Sequence, residues 1–418
     1  MSDSTSFLPN PVTGPLTGIK VLDMSRILAA PWAAQLLADM GAEVIKVERP
    51  RVGDDCRRLG PFPTLEDGSR GESTFYMSAN RGKRSITIDI ANPKGQELLR
   101  KLAAESDVLI ENYKVGDLKR YGLDYDSIRK INPSIVYCSV TGFGQEGPYA
   151  PRPGYDPIFQ AMSGIMSVTG APPGMPGAQP TKIGNSMSDM LSGLFAASGI
   201  CAALVDKVRN GRGRYLDVAL FDSSFASLSH LVQWYLSLGT IPPRRGSEGN
   251  GAMPAGLYTC GDQKDIMVSA GNDAQWQRLA EVLGITHLVS DPRFLSVHDR
   301  SENRRELSPL VAEAFMKQPL AHWVTALDEA GVPAGPVYNI AEVLEDPQAK
   351  VRKMTVTAPH PQLGQVEMVA NPIKFSDVAP GEVPLHPPML GEHTDEILRE
   401  VLGLSDKEVA ALKAEGIV

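Results

Sequence analysis

The chain has 418 residues, of which 42% are hydrophobic and 22% charged, with 39 Gly and 33 Pro. This composition argues against disordered, fibrous and membrane classes, and the length predicts two domains rather than one or four. With 41 basic against 49 acidic side chains the net charge is -8, and no positive stripe runs along the sequence, so small ligands or proteins are expected as partners rather than nucleic acid.

The first 18 residues carry no Lys or Arg and no apolar core, which fits neither a secretory signal nor a transit peptide. No uninterrupted run of about 18 apolar residues offers a membrane span, and a cytoplasmic protein is expected. From Ile19, short β-branched runs alternate with helical stretches: IKVLD, PWAAQLLADMG, EVIKVE, SITIDI, a helix over 95–105, VLIEN and IVYCSV. That alternation predicts a parallel sheet with crossover helices. Asn92-Pro93 marks a helix entrance, because Asn can cap and Pro is tolerated at the first helical position. Further helices are predicted over 158–169 and 188–209, followed by a strand YLDVALF that runs into an amphipathic helix ending at Leu238. The Pro-, Gly- and Arg-rich stretch TIPPRRGSEGNGAMPAG then marks a boundary. Beyond it, LYTC and DIMVSAG read as strands, 274–283 as a helix and 302–330 as a charged helical layer. VPAGPVYNIAEVLEDPQ reads as a linker, and the tail over 354–418, with a last helix from Thr394, returns to the first domain. The expected division is a large α/β domain over 1–222, a linker and small domain over 223–335, and a C-terminal return over 336–418.

Cys56, Cys138, Cys201 and Cys260 lie tens of residues apart and the seven His are scattered, so buried free thiols are expected and no metal site is predicted. Gly142-Phe143-Gly144-Gln145-Glu146-Gly147 matches GxGxxG after a strand, but Pro148, Pro151 and Pro153 follow. No helix can start there to meet a pyrophosphate, so this is a turn. The second glycine cluster, Gly246–Gly251, reads as a surface loop, or as a loop that closes over substrate and offers backbone amides to an oxyanion. Asp189, in GNSMSDMLSGLFAASG, falls in the first turn of a helix, where an acid is favoured by the helix dipole. The chemical alternative is a carboxylate nucleophile, which the reference pKa of ~3.9 would keep ionised at neutral pH. Basic residues cluster as Arg49 and Arg51, Arg57-Arg58, Arg81 with Lys83-Arg84, and Lys114 with Lys119-Arg120. They form either a solvated face or, being near predicted strand ends, a site for a polyanionic phosphate ligand.

Nearly the whole chain resembles the family III CoA-transferases, which include α-methylacyl-CoA racemases. The resemblance rests on GIKVLDMSRILAAPWAAQLLADMGAEVIKVERP, NRGKRSITIDI, DVLIENYKVGDLKRYGLDY, NPSIVYCSVTGFGQEGPYAPRPGYDPIFQAMSG, SDMLSG and GRGRYLDVALFD. Within the family, GDDCRRLGP, SLSHLVQWYL, VSAGNDAQW and GVPAGPVYNI look most like the branch that works on succinyl-CoA and dicarboxylates such as glutarate. The resemblance implies a Rossmann-like large domain built from both chain ends, a smaller inserted α+β domain, and two subunits interlocked as a homodimer. It implies CoA transfer from an acyl-CoA to a free carboxylic acid, with Asp189 as the nucleophile, by way of an aspartyl mixed anhydride and an aspartyl-CoA thioester. The CoA thioester is then a substrate, with no tightly bound cofactor. For CoA the matching positions are Arg26, Ala29, Arg49, Lys83, Asn112, Tyr113 and Arg120. The distal carboxylate of a diacid would fall to Arg26, Arg57 or Arg81, and Gly249 and Gly251 would sit in a lid over the substrate. Leu28 stands where formyl-CoA transferase has a Gln, which argues against formyl or oxalyl transfer. Two alternatives complete the expectation. Racemisation needs a second proton shuttle where this chain has Tyr155 before Asp156, and tyrosine with a pKa of ~10 serves poorly. A CoA-binding protein without turnover would use Asp189 only as a helix-turn acid.

Overall fold

The computed structural model describes residues 10–249, 251–376 and 384–418. The chain separates into two compact units, one formed by residues 1–165, 182–238 and 352–418, the other by 166–181 and 239–351. The breaks after 238 and 351 fall past the expected divisions after 222 and 335, and residues 166–181, expected in the large domain, group with the second unit.

The first unit is built on six strands: β1 Lys20–Asp23, β2 Glu43–Glu48, β3 Lys83–Thr87, β4 Val108–Glu111, β5 Val136–Thr141 and β6 Arg214–Ala219. All pair in parallel, in the order β3-β2-β1-β4-β5-β6. This is the doubly wound order, which opens a crevice at the strand C-termini where the winding reverses, between β1 and β4. Strands β2 and β5 are buried along their full length, as a sheet covered on both faces requires. The helices are α1 Ala29–Asp39, α2 Thr74–Met77, α3 Pro93–Ala104, α4 Tyr125–Ile131, α5 Asp156–Met162, α6 Ile165–Val168, which spans the break into the second unit, α7 Met187–Asn210, α8 Leu220–Ser227 and α9 Ser229–Leu238. Two cores result. Leu22, Ile45, Leu99 and Leu109 join the C-terminal residues Ile397, Leu398 and Ile417 in one, while α1 and α7 pack over Val21, Val44, Val136 and Cys138 in the other. The return of the chain's tail is thus built into the first core. Asn92 caps α3 through the Lys94 N–H, with Pro93 at the first helical position, for the reason given by the sequence.

Three local expectations change. The helix predicted over 158–169 divides into α5 and α6 around Gly164, whose φ is 100°. YLDVALF is strand only to Ala219, after which α8 begins and gives way to α9 at Leu228. α7 has a mean hydropathy of 1.5 and is long enough to cross a membrane by length and composition, although the sequence offered no unbroken apolar run. Its Ser188, Ser192, Gly193, Ala196 and Ala197 are buried, and small residues there let neighbouring elements approach closely.

The second unit carries a three-stranded antiparallel sheet, β7 Ala255–Thr259, β8 Asp265–Ser269 and β9 Ala334–Pro336. Helices α10 Asp273–Leu283, α11 Val297–Glu302, α12 Arg304–Phe315 and α13 Leu320–Glu329 enclose a core around Trp276, Phe294, Phe315 and Trp323. The predicted linker is partly helical, over Ile340–Glu345.

Candidate active site

Asp189 is the third residue of α7. α7 crosses the start of α1 at Gly193, where a Cβ would lie 2.7 Å from the Ala29 carbonyl oxygen and 2.8 Å from Trp32 Cε3. Gly193 lies one helical turn beyond Asp189 and so faces the same side. The close crossing brings Ala29 to the wall of the cavity that Asp189 lines, with the Ala29 backbone N–H near enough to the carboxylate to favour its charged form.

A second carboxylate braces the same helix end. Asp156 Oδ1 accepts the Ser188 N–H at 2.7 Å, and Oδ2 accepts from Gln160 Nε2 at 2.7 Å. Burial pushes the Asp189 carboxyl up to about 7, with the Asp156 charge adding to the rise and the Ala29 N–H opposing it. The ionised resting state expected from the reference pKa is therefore replaced by a carboxyl half-ionised near neutrality, because the sequence could not show how far Asp189 is withdrawn from water.

Asp189 opens on a cavity of about 370 Å³ whose wall includes Arg26, Asp55, Asn112, Tyr113 and Arg152. A neighbouring cavity of about 270 Å³ shares Arg26 and Tyr113 and adds Arg49 and Arg120. The Arg26 guanidinium lies 5.0 Å from the centre of the Tyr113 ring and forms an ion pair with Asp55 at 3.2 Å. Asn112 clamps the Arg26 backbone from both directions, accepting its N–H at 2.9 Å and donating to its carbonyl at 2.6 Å. Glu111, at the end of β4, accepts the Tyr113 N–H at 2.8 Å and a hydroxyl hydrogen bond from Ser139. Burial raises Glu111 to about 7. Arg26, Ala29, Asn112 and Tyr113 thus share the first cavity, and Arg49 and Arg120 line the second.

Three basic residues depart from the expectation of ligand contact, because buried carboxylates saturate them. Lys83 is fully buried, pairs with Asp23 at 2.8 Å and donates to the Pro31 carbonyl and Asn80 Oδ1. Arg57 is held by Glu48 and Glu72 over the Tyr76 ring, and Arg81 by Asp39 at 2.5 Å. None of the three lines either cavity. Gly249 and Gly251 belong to the second unit, where the Gly249 N–H donates to the Ala255 carbonyl at 2.9 Å; Asn250 between them lies outside the described residues.

Sequence reasoning missed Arg152 as a wall residue and Asp156 as a brace, and named Lys114 only within a basic cluster. Arg152 lies 4.0 Å above the Tyr149 ring and, like Lys114, reaches the Asp189 cavity. The available signal was the RPGYD segment, which puts a cation and an acid four residues apart. Tyr155, on the same wall, is 74% exposed, and no histidine lines either cavity among the described residues.

The description "CoA-transferase family III" matches residues 16–394. The human succinyl-CoA:glutarate CoA-transferase is 38% identical over 406 residues, covering 97% of this chain and 90% of that one. The succinate–glutarate CoA-transferase of Agrobacterium fabrum is 40% identical, covering 93% and 96%. Among solved structures, a CAIB/BAIF family protein from Brucella suis superposes with a TM-score of 0.82 at 41% identity, covering 93% of this chain and 99% of that one.

Proposed function

The chain belongs to CoA-transferase family III, and from that premise we propose that it moves CoA from succinyl-CoA to a free dicarboxylic acid through Asp189. The observation that carries this reading is a half-buried carboxylate, with a backbone amide beside it, at the wall of a cavity lined by cations. The named activities of the relatives supply the acid class.

In the proposed sequence, ionised Asp189 attacks the thioester carbonyl of the donor. The C–S bond breaks, CoA leaves as thiolate, and a mixed anhydride joins Asp189 to the acyl group. The thiolate then attacks the aspartyl carbonyl, freeing the donor acid and leaving an aspartyl-CoA thioester. The acceptor carboxylate displaces the thiolate to form a second anhydride, and the thiolate finally takes the acceptor acyl group, which returns Asp189. Acyl activation is preserved at each step, so no nucleotide triphosphate enters. The Ala29 N–H, which favours the ionised Asp189, would stabilise the oxygen on which charge develops when the aspartyl carbonyl is attacked. Burial protects the anhydride from water.

The second cavity, with Arg49, Arg120 and Tyr113, suits the adenosine phosphates of CoA, since guanidinium groups pair with phosphate oxygens. Arg57 and Arg81 are held by buried carboxylates, whereas the Arg26–Asp55 pair is partly exposed at the cavity wall; Arg26 is therefore the residue of the expected set best placed to exchange that partner for a distal carboxylate, and Arg152 extends the same wall. Racemisation loses support because Tyr155 stands where a second proton shuttle is needed. We further propose a homodimer. Leu194, Phe195, Val205 and Leu236 are 45–70% exposed on α7 and α9, an apolar surface that a second copy would cover.

The test is incubation with succinyl-CoA and a panel of mono- and dicarboxylic acids in deuterated water, with mass spectrometry of the CoA products. A new dicarboxyl-CoA without α-deuterium is expected. Deuterium at the α-carbon of a chiral 2-methylacyl-CoA control, without transfer, would establish racemisation instead.

A further inference from the structure

The turn between β1 and α1 contains a conformational outlier. Ile27 has φ of 72°, a region that β-branched residues avoid because the branched side chain collides with its own backbone. No glycine relieves the position, and Ile27 lines the Asp189 cavity. Such a conformation persists only where surrounding bonds over-determine it.

Those bonds are present, and most come from buried groups. The Ile27 N–H donates to Asp54 Oδ1 at 3.0 Å. Asp54 Oδ2 pairs with Lys46 Nζ at 2.9 Å, both side chains being 0% exposed. Lys46 Nζ also donates to the Ser25 carbonyl at 3.0 Å, so one ion pair grips the turn at two points. Asp54 is itself fixed: its N–H donates to Glu48 Oε2 at 2.9 Å, and Oδ1 accepts the Cys56 N–H at 3.0 Å. On the other side, Asn112 holds the Arg26 backbone, and the Met24 N–H reaches the Ile110 carbonyl at 2.8 Å.

The turn ends in the groups that matter to the reaction. Two residues after Ile27, Ala29 lines the same cavity as Asp189 and packs its carbonyl oxygen against Gly193, one helical turn from Asp189, with its N–H favouring the ionised carboxylate; one residue before Ile27, Arg26 stands between the two cavities. We propose that Asp54 is a positioning residue for the transfer reaction: by accepting the Ile27 N–H it holds the strained turn, and thereby fixes the Ala29 amide against the Asp189 carboxylate. Asp54 lines the CoA-side cavity but acts through backbone. A displacement of about 1 Å at such a donor costs on the order of 100-fold in rate. The inference rests on the Asp189 reading above.

Removing Asp54 alone would strand the buried charge of Lys46, so the test compares two variants that lack the ion pair equally. Lys46→Met/Asp54→Asn keeps an acceptor oxygen for Ile27, whereas Lys46→Met/Asp54→Leu does not. With succinyl-CoA and glutarate, kcat of the Leu variant is expected to fall at least 30-fold below that of the Asn variant, a cautious fraction of the ~100-fold figure, with KM for succinyl-CoA little changed. Adding Ile27→Gly to the Leu variant removes the steric penalty at positive φ and is expected to restore kcat by about tenfold or more. A merely structural loss would not be repaired by glycine, which loosens the chain. Equal kcat in the Asn and Leu variants, or no recovery with glycine, overturns the proposal.

If the Leu variant fails to fold in a thermal melt, Ile27→Pro decides, since it leaves the Lys46–Asp54 pair intact while removing both the N–H and the positive φ. A loss of kcat on the order of 100-fold supports the proposal, and wild-type kcat overturns it. Asp189→Ala, assayed alongside, separates the two levels. Activity surviving there overturns the nucleophile reading and this inference together; an inactive Asp189→Ala beside a fully active Leu or Pro variant overturns this inference alone.

Discussion

As the proposed nucleophile, Asp189 faces two demands that oppose each other. An attacking carboxylate must be ionised, yet a dry site penalises its charge, and burial together with Asp156 places the carboxyl at about 7. The acid limb of kcat/KM is therefore expected near pH 7, with activity falling about tenfold per unit below it. Asp156→Asn removes the neighbouring charge but not the burial, so the limb should move down by about one unit and stay above the ordinary carboxylate range; a pH–rate profile measures this. The same group carries a stability cost. Its folded-state value exceeds the unfolded one, so it retains a proton that the unfolded chain has released, and its favourable contribution, complete below about pH 4, is lost as pH climbs through about 7. Asp189→Asn should accordingly be more stable than wild type by about 1–3 kcal/mol at pH 8, the gap closing towards pH 4 in thermal melts.

The element that makes the site is the crossing of α1 and α7. At Gly193 a methyl group would meet the Ala29 carbonyl oxygen at 2.7 Å, so Gly193→Ala must push the helices apart beside Asp189, the proposed nucleophile. A stability loss of about 1–3 kcal/mol is expected, with kcat falling more than KM rises, checked by denaturant titration and steady-state kinetics. Much at this scale was legible in the sequence. Short β-branched runs such as EVIKVE and IVYCSV, alternating with helical stretches, announced parallel strands, Asn92-Pro93 a helix start, and the Pro residues after Gly147 the failure of the GxGxxG segment to become a phosphate loop. The partners of the basic residues were not legible. Arg81 finds Asp39 from 42 positions away and Lys83 finds Asp23 from 60, and only the folded sheet brings these pairs together. Charge runs identify cations without showing which of them are already neutralised inside. The strained turn at Ile27 escaped for a related reason, since nothing in SRILAAPW marks a positive φ where no glycine stands.

At the scale of the whole molecule, the doubly wound sheet places its switch point where Asp23, Arg26, Asn112 and Tyr113 converge, so the fold and the site are consequences of one winding reversal. The apolar faces left on α7 and α9 give the oligomeric prediction its scale. Light scattering should return a mass near twice 45.0 kDa at micromolar concentration, and a stable monomer of that mass would count against the homodimer.

The claim on which the account turns is that Asp189 becomes covalently acylated. The most direct measurement supplies an acceptor acid labelled with heavy oxygen in its carboxylate, allows many turnovers with succinyl-CoA, and sequences the tryptic peptide spanning 183–207 by mass spectrometry. When the thiolate takes the acyl group from the anhydride, the bridging oxygen stays on the enzyme, so the label should accumulate in the Asp189 carboxylate and in no other side chain of that peptide. Formation of the new acyl-CoA with an unlabelled Asp189 would contradict the anhydride route and the role assigned to this residue.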